Sequence, residues 1–198
     1  MARGRRVNSS GEKSKKLLLE KAIELFSTHG YHQTKISDIV KAASLTQPTF
    51  YLYFQSKESL FNDLNEKFRN DLVEIFSNSG EAVSTEKEDS MVIEQNLKCI
   101  FDYFIENPSL TKIGFYEGDQ SAIVKQILVS KLENMINEDL KDYTIVKSVN
   151  SNILAQSIVG SMERLTLTNL LTNKSNPKKL AEEISKIYFV NEHKLVHQ

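Results

Sequence analysis

The sequence has few of the features that mark secreted, disulfide-bonded or membrane-spanning proteins. Its 198 residues contain a single cysteine, Cys99, so no disulfide can form within the chain. A reducing cytoplasm is therefore the expected location. No apolar run approaches the roughly 20 residues of a membrane span, and the basic N-terminus lacks the apolar stretch of a signal peptide. We expect no membrane partner.

Glycine and proline are equally scarce, with seven Gly and three Pro, and no segment alternates apolar and polar residues as a half-buried strand does. Apolar residues instead recur at helical spacing nearly throughout, and at 40% of the chain they suffice for a core. The pattern predicts an all-α fold of about nine helices. After a first helix that ends near Gly30, the predicted spans are 36–43, 47–54, 57–76, 91–107, 110–117, 121–140, 152–172 and 177–191, with a polar linker at 77–90.

The net charge of −1 conceals an asymmetry along the chain. Residues 1–57 contain ten Lys or Arg and four Asp or Glu, a net charge of +6, which leaves −7 for residues 58–198. A basic head on an acidic remainder suggests that the head meets a polyanion, and a solvated basic tail is the alternative.

Two short helices and a tight turn lie within the basic segment. The first helix spans 36–43, the turn is Ser44-Leu45-Thr46, and the second helix spans 47–54. Thr46 has the hydroxyl that caps a helix start, and Pro48 falls in the first helical turn, where a missing N–H costs nothing. This arrangement is that of a helix-turn-helix, whose second helix enters the major groove of DNA and presents its N-terminal side chains to base edges.

Residues 14–62 resemble the N-terminal domain of the TetR family of bacterial transcription regulators. The residues that carry the resemblance are Phe26, Gly30, Tyr31, Thr34, Ile36, Ile39, Val40, Ala43, Leu45, Thr46 and, most specifically, the run Phe50-Tyr51-Leu52-Tyr53-Phe54 with Lys57 and Leu60. The resemblance implies a three-helix DNA-binding domain at 1–57 and a helical ligand-binding and dimerisation domain at 58–198. The helix over 57–76 would connect the two domains, and the last two long helices would form the dimer interface.

The resemblance also implies which residues contact DNA. Gln47 and Thr49, in the first turn of the second helix, have side chains suited to base edges, and Tyr51 and Tyr53 reach phosphates or bases through their hydroxyls. The alternative for either tyrosine is that it merely packs against its neighbours. The complete predicted site is Thr34, Lys35, Thr46, Gln47, Pro48, Thr49, Tyr51, Tyr53 and Lys57.

Two helix starts, at Thr34 and Lys57, suit phosphate contacts because the N-terminus of a helix is positive.

The chain also departs from the family's pattern at two positions, with Ser44 where Gly is usual and Pro48 where Gly or another small residue is frequent. The first position tends to need a positive φ, so Ser44 is expected to carry strain of about 1 kcal/mol. Pro48 removes one backbone donor. For Arg3, Arg5 and Arg6 two interpretations stay open. They form an arm that enters the minor groove, or they belong to a solvated, charged terminus.

Nothing in the sequence resembles a catalytic site, since it has no P-loop, no Gly-rich dinucleotide turn and no nucleophile elbow. The four histidines, His29, His32, His193 and His197, have no metal-site spacing with one another or with Cys99. Cys99 is expected to be a small, partly buried residue. We expect no enzyme, no cofactor and no metal.

A ligand cavity among the middle helices is implied by the resemblance, and such cavities are apolar with a few placed polar groups. Arg164 could bind an anionic group on a ligand. The alternatives are that it pairs with an acidic residue across a dimer interface or that it extends into solvent. For the aromatic residues the alternative is ordinary core packing. The predicted cavity residues are Phe104, Tyr103, Tyr116, Met135, Met162 and Arg164.

The expected function is ligand-responsive, sequence-specific DNA binding by a repressor that binds a palindromic operator and is released by a small hydrophobic effector. A homodimer is expected because one helix-turn-helix reads only a few base pairs. The apolar stripe of the last helix, which needs a partner surface, consists of Leu180, Ile184, Ile187 and Tyr188. One alternative is a DNA-binding architectural or cell-cycle protein of the same fold without an effector. A more remote one is a helical enzyme or binding protein.

Overall fold

The structure, a computed structural model, describes residues 7–81, 90–118, 120–140 and 144–189. Every regular element in these ranges is helical, which confirms the predicted all-α class. The α-helices are α1 (Val7–His29), α2 (Ile36–Ala42), α3 (Gln47–Tyr51), α4 (Lys57–Glu81), α5 (Ser90–Glu106), α6 (Pro108–Tyr116), α7 (Gln120–Asp139), α8 (Thr144–Ser148), α9 (Ser151–Leu165) and α10 (Pro177–Tyr188). A π-helical segment, Thr166–Leu170, continues α9.

Several predicted boundaries differ from those of the structure. The predicted helix over 152–172 is α9 followed by the π-helical segment, and α8 was not predicted. Helix α3 ends at Tyr51 instead of Phe54, because the chain turns there with the Tyr53 N–H donating to the Phe50 carbonyl. Helix α4 extends through Glu81, so the first part of the predicted linker is helical, and residues 82–89 lie outside the described residues.

The chain divides into two compact units. Of the described residues, the first unit contains those up to Arg69 together with Ser109–Gly118, and the second contains those from Asn70 to Pro108 and those after Gly118. The division falls inside α4, twelve residues after the predicted boundary at Lys57. Because a helix can serve both units, the functional boundary at residue 57 stays a prediction.

The first unit, which contains α1 to α3, the start of α4 and α6, is built around aromatic side chains. The Phe26 ring lies 5.5 Å from that of Tyr31 and 5.6 Å from that of Phe61, centroid to centroid. Phe50 of α3 is fully buried, so the second helix of the helix-turn-helix is anchored by its apolar face. Its other face is left for solvent or DNA.

In the second unit, α5 packs against α10 and α7 packs against α9. Phe101 and Phe104 of α5, Met162 of α9 and Ile184 of α10 are all fully buried. The core of this unit is therefore formed by contacts between helices that are far apart in the sequence.

Candidate DNA-binding surface

The turn between α2 and α3 has the geometry that a helix-turn-helix needs. Ser44 has a φ of 53°, which confirms the positive φ expected at this position. The Leu45 N–H donates to the Val40 carbonyl at 2.8 Å and so closes the end of α2. A side chain in this left-handed conformation costs about 1 kcal/mol relative to glycine, and the contacts around the turn hold it there.

Helix α3 begins as its sequence predicts. The Thr46 hydroxyl accepts the Thr49 N–H at 3.4 Å and lies 2.9 Å from the Thr49 hydroxyl. Pro48 is in the first turn, where it breaks no helical hydrogen bond. The predicted N-cap is confirmed, and it orients the first turn of α3.

The outer face of α3 exposes side chains that can meet DNA. Gln47 and Pro48 are exposed, Tyr51 has 56% of its surface exposed, and Leu52 has 76% exposed. A short helix that exposes a glutamine, a tyrosine and a leucine has both polar groups and apolar surface for base edges and thymine methyl groups. Sequence reasoning missed Leu52, although its place between two tyrosines was a usable signal.

Tyr53 differs from Tyr51 because it lies against α1. It is half-buried, and its hydroxyl is so near Gly11 that a Cβ added there would lie 3.4 Å from it. The packing alternative for Tyr53 is therefore favoured by its position. Tyr51 keeps the freer position of the two.

Thr34 and Lys57 have partners within the protein instead of open positions. Thr34 is only 2% exposed, and its hydroxyl donates to the Gly30 carbonyl at 2.9 Å. The Lys57 Nζ donates to the carbonyls of Tyr31 and Thr34 at 2.7 and 2.9 Å and stands 4.2 Å from the centre of the Tyr31 ring. The phosphate contacts that we expected from the two side chains stay a prediction. Both residues fix the turn that leads into α2.

Lysines at the ends of α2 are better placed for phosphates. Lys35 is exposed at the N-cap of α2, where its backbone N–H donates to Asp38 Oδ2 at 3.0 Å. Lys41 is exposed in the last turn of α2, and sequence reasoning did not select it. Arg3, Arg5 and Arg6 lie outside the described residues.

The predicted cavity residues occupy several kinds of position. Phe104 and Met162 are fully buried, Met135 is half-buried and Arg164 is exposed. Tyr116 belongs to the first unit, whereas the other five residues belong to the second. The exposure of Arg164 favours the dimer-interface or solvent alternative over a ligand contact.

Tyr103 makes a specific hydrogen bond within the second unit. Its hydroxyl donates to Asp71 Oδ2 of α4 at 2.7 Å. Burial, followed by this hydrogen bond and the negative charge of Asp71, holds the pKa of the Tyr103 hydroxyl well above its usual range. Tyr103 is thus neutral at physiological pH and already has a protein partner for its proton.

A groove of about 310 Å³ lies on the surface of α7, and its lining includes none of the predicted cavity residues. It is lined by Ile123, Gln126, Ile127, Ser130, Lys131 and Asn134. The predicted cavity among the middle helices stays a prediction.

No helix among the residues described is long and apolar enough to cross a membrane. The described ranges also contain no cluster of three or more His, Cys, Asp or Glu side chains that would hold a metal ion.

The sequence matches those of known regulators. The sequence model of the family described as bacterial regulatory proteins, tetR family, matches residues 18–64. An uncharacterized HTH-type transcriptional regulator, YdgC of Bacillus subtilis, is 33% identical over 180 residues, which cover 90% of this chain and 92% of that protein. The fatty acid metabolism regulator protein of B. subtilis is 23% identical over 166 residues, covering 79% of this chain and 84% of that protein.

Solved structures show the same fold. The fatty acid degradation regulator FadR of Bacillus halodurans aligns over 97% of this chain and 98% of its own, with a TM-score of 0.73 and 18% identity. A gamma-butyrolactone receptor aligns over 90% of this chain and 99% of its own, with a TM-score of 0.69 and 14% identity. At these identities the likeness concerns the fold alone.

Proposed function

The chain belongs to the TetR family of bacterial regulators and is a DNA-binding transcription regulator rather than an enzyme, and we propose that it is a repressor that binds a palindromic operator as a homodimer. We further propose that a small hydrophobic effector releases it from DNA. Its place of action would be the cytoplasm.

The observation that supports operator binding is the exposed first turn of α3. The buried Phe50 anchors the apolar face of α3, and the Thr46 cap fixes the start of the helix. Gln47 and Tyr51 remain exposed. A rigid helix start with free hydrogen-bonding side chains is suited to direct readout of the major groove.

A homodimer follows from the number of base pairs that one helix of five residues can read. Two copies that read two half-sites gain affinity through their linkage and match a palindrome. The surface that we propose for the dimer combines α9 and α10, which are joined by the Tyr188 hydroxyl, 2.9 Å from the Ser161 hydroxyl. Exposed apolar side chains on this surface are Ile153 of α9, Leu167 of the π-helical segment that continues α9, and Ile187 of α10.

The residues first expected to form the interface need a correction. Leu180 and Ile184 are 2% and 0% exposed in the single chain, because α10 packs on α5. Ile187 is 69% exposed and is the member of that stripe that is free to meet a partner.

A hydrophobic effector is suggested by relatives whose names refer to fatty acid metabolism and by a structural neighbour that is a gamma-butyrolactone receptor. The mechanism would be a population shift, in which the effector favours a conformation that binds DNA less well. The second candidate is an architectural DNA-binding protein without an effector. The full burial of Phe104 and Met162, two residues expected to line a cavity, favours it.

Selection of binding sites from a randomised duplex library tests the first part of the proposal. We expect enrichment of a dyad-symmetric site and a steep decrease of affinity with salt. Gln47→Ala should relax the preference at one base position, at a cost of about 1–3 kcal/mol. Lys35→Ala should weaken all duplexes alike and lower the salt slope by about one. Recovery of no symmetric site would contradict the proposal.

Light scattering of charge variants tests the dimer. Leu167→Glu and Ile187→Glu should give monomers at micromolar concentration. Ile123→Glu on α7 is the matched control, because Ile123 and Leu167 are both 45% exposed, and it should remain dimeric. A dimer that survives all three changes would move the interface elsewhere.

Thermal melting with hydrophobic acids tests the effector. A true effector should raise the melting temperature and weaken operator affinity by linked amounts. A compound that stabilises the protein without changing operator affinity would contradict the proposal that ligand binding releases the protein from DNA. If hydrophobic acids of graded chain length neither stabilise the protein nor change operator affinity, the architectural alternative is favoured.

A further inference from the structure

Lys57 is the first residue of α4, a position that helix electrostatics make unfavourable for a cation. The N-terminus of a helix is positive, so an acidic residue is the favoured type there. Two serines fix this helix start, because the Ser59 N–H donates to the Ser56 hydroxyl at 3.0 Å and the Ser56 N–H donates to the Ser59 hydroxyl at 3.1 Å. A lysine at this fixed point needs partners elsewhere that offset the local repulsion.

These partners lie in the turn between α1 and α2. The Lys57 Nζ donates to the Tyr31 carbonyl at 2.7 Å and to the Thr34 carbonyl at 2.9 Å. An ammonium group has three donors, so these bonds use two of them. The same nitrogen stands 4.2 Å from the centre of the Tyr31 ring, where cation–π attraction adds to its stabilisation. The ammonium of Lys57 is thus engaged by the protein itself.

The Thr34 carbonyl lies at the entrance to α2. Thr34 directly precedes Lys35, the N-cap of α2, whose carbonyl accepts the N–H groups of Asp38 and Ile39 at 3.0 and 3.3 Å. Ile39 is fully buried, and α2 packs against α3. A hydrogen bond to the Thr34 carbonyl therefore fixes the main chain one residue before α2, and α2 positions α3.

We propose that Lys57 is a positioning residue for DNA binding, which links the start of α4 to the start of α2 and so holds α3 in its orientation. Its ammonium acts on the main chain of the protein and contacts no phosphate. The inference rests on the proposed operator binding, and it gives Lys57 a different role from the phosphate contact predicted from sequence. The half-burial of Lys57 supports this role, since Lys35 and Lys41 are exposed.

The salt dependence of DNA affinity separates the two roles. A lysine that binds a phosphate displaces a counterion, so its removal lowers the salt slope by about one. Removal of a lysine that positions the main chain weakens binding but leaves the phosphate contacts, and hence the slope, in place. Lys57→Met removes the donors and keeps an unbranched side chain, whereas Lys57→Arg keeps both the charge and the donors.

The experiment measures duplex affinity across a salt series for both variants. We expect Lys57→Met to bind about tenfold more weakly with the salt slope of the parent chain, because two charge-assisted hydrogen bonds are lost. Lys57→Arg should recover most of the affinity. A salt slope lowered by about one in Lys57→Met would overturn the proposal in favour of a phosphate contact, and unchanged affinity in Lys57→Met would overturn it as well.

Amide exchange tests the role of Lys57 without DNA. Exchange of the Ile39 N–H, near the start of α2, should become faster in Lys57→Met and stay slow in Lys57→Arg. Lys41→Met is the matched control, because it removes the same charge from an exposed position on α2, and it should leave Ile39 exchange slow. The Gly30 N–H, which donates to the Phe26 carbonyl at 2.8 Å, should exchange as in the parent chain in all three variants.

This readout also keeps the inference separate from the operator proposal. If the parent chain selects no symmetric site, the operator proposal fails, and affinity for a random duplex together with Ile39 exchange still tests Lys57. Unchanged Ile39 exchange in Lys57→Met would refute the positioning role.

Discussion

The two units differ in how their helices are specified. In the first unit, each helix end between residues 30 and 59 has a local cause, such as Gly30 with a φ of 82°, Ser44 with a φ of 53° and the cap at Thr46. At the start of α4, the Ser59 N–H donates to the Ser56 hydroxyl at 3.0 Å. In the second unit, α9 passes into a π-helical segment without a comparable signal in the sequence. The first unit is encoded by neighbours in sequence, and the second more by contacts between distant helices.

This difference agrees with the functions that we propose for the two units. A surface that reads base edges needs side chains at fixed positions on a short helix, and caps and turns provide that fixation at short range. A unit that dimerises or accommodates a ligand depends on the volumes that its helices leave between them, and many combinations of apolar residues provide similar volumes.

The largest effect is expected at Gly114, where the first unit depends on a distant contact. Gly114→Ala would place a methyl group against the Phe68 ring, so we expect the free energy of unfolding to fall by about 1–3 kcal/mol. Urea denaturation measures this change.

The matched control is Gly11→Ala, a change at a helical glycine of the same unit where a Cβ would have an ordinary contact with the Tyr53 hydroxyl. It should leave stability unchanged or raise it by up to about 1 kcal/mol. Equal destabilisation by both changes would show that the α6 contact has no special weight. In that case the caps and turns near in sequence would be the main determinant of the structure of the first unit.

Much of the fold was predictable because its signals are local. The cap at Thr46, the turn at Ser44 and the start of α10 at Asn176-Pro177 follow from residue types and short spacings, and the structure confirms them. The partners of Thr34 and Lys57 were not predictable, because each depends on a carbonyl that only the folded chain brings near. The close contact of Gly114 in α6 with Phe68 in α4 was not predictable either, because no pattern in the sequence specifies the placement of α6.

The two units can also be compared through two helix N-caps of the same kind, one in each unit. Thr46 caps α3, which has five residues, and Asn176 caps α10, which has twelve and whose Lys179 N–H donates to Asn176 Oδ1 at 2.9 Å. Each cap is followed by a proline in the first turn. Thr46→Ala and Asn176→Ala should each lower the free energy of unfolding by about 1 kcal/mol.

Operator affinity should separate the two cap variants. Thr46→Ala should weaken binding, because the first turn of α3 loses its fixed orientation, while Asn176→Ala should leave affinity unchanged at a concentration where the protein is folded. Fluorescence titration of a labelled duplex measures both. Equal losses of affinity would mean that α10 affects DNA binding as strongly as α3 does.

The smallest effect concerns the two non-glycine residues with a positive φ in the described part of the chain. Ser44 (53°) follows α2 in the first unit, and Asn173 (57°) follows the π-helical segment in the second. Replacement by glycine relieves strain in the folded state, but it also gives the unfolded chain more freedom, at a cost of about 0.5–1 kcal/mol. Asparagine tolerates this conformation better than serine does, so it has less strain to relieve. Ser44→Gly should therefore raise the melting temperature slightly, while Asn173→Gly should lower it or leave it unchanged. A gain at Asn173 equal to that at Ser44 would mean that the second unit stores turn strain just as the first does.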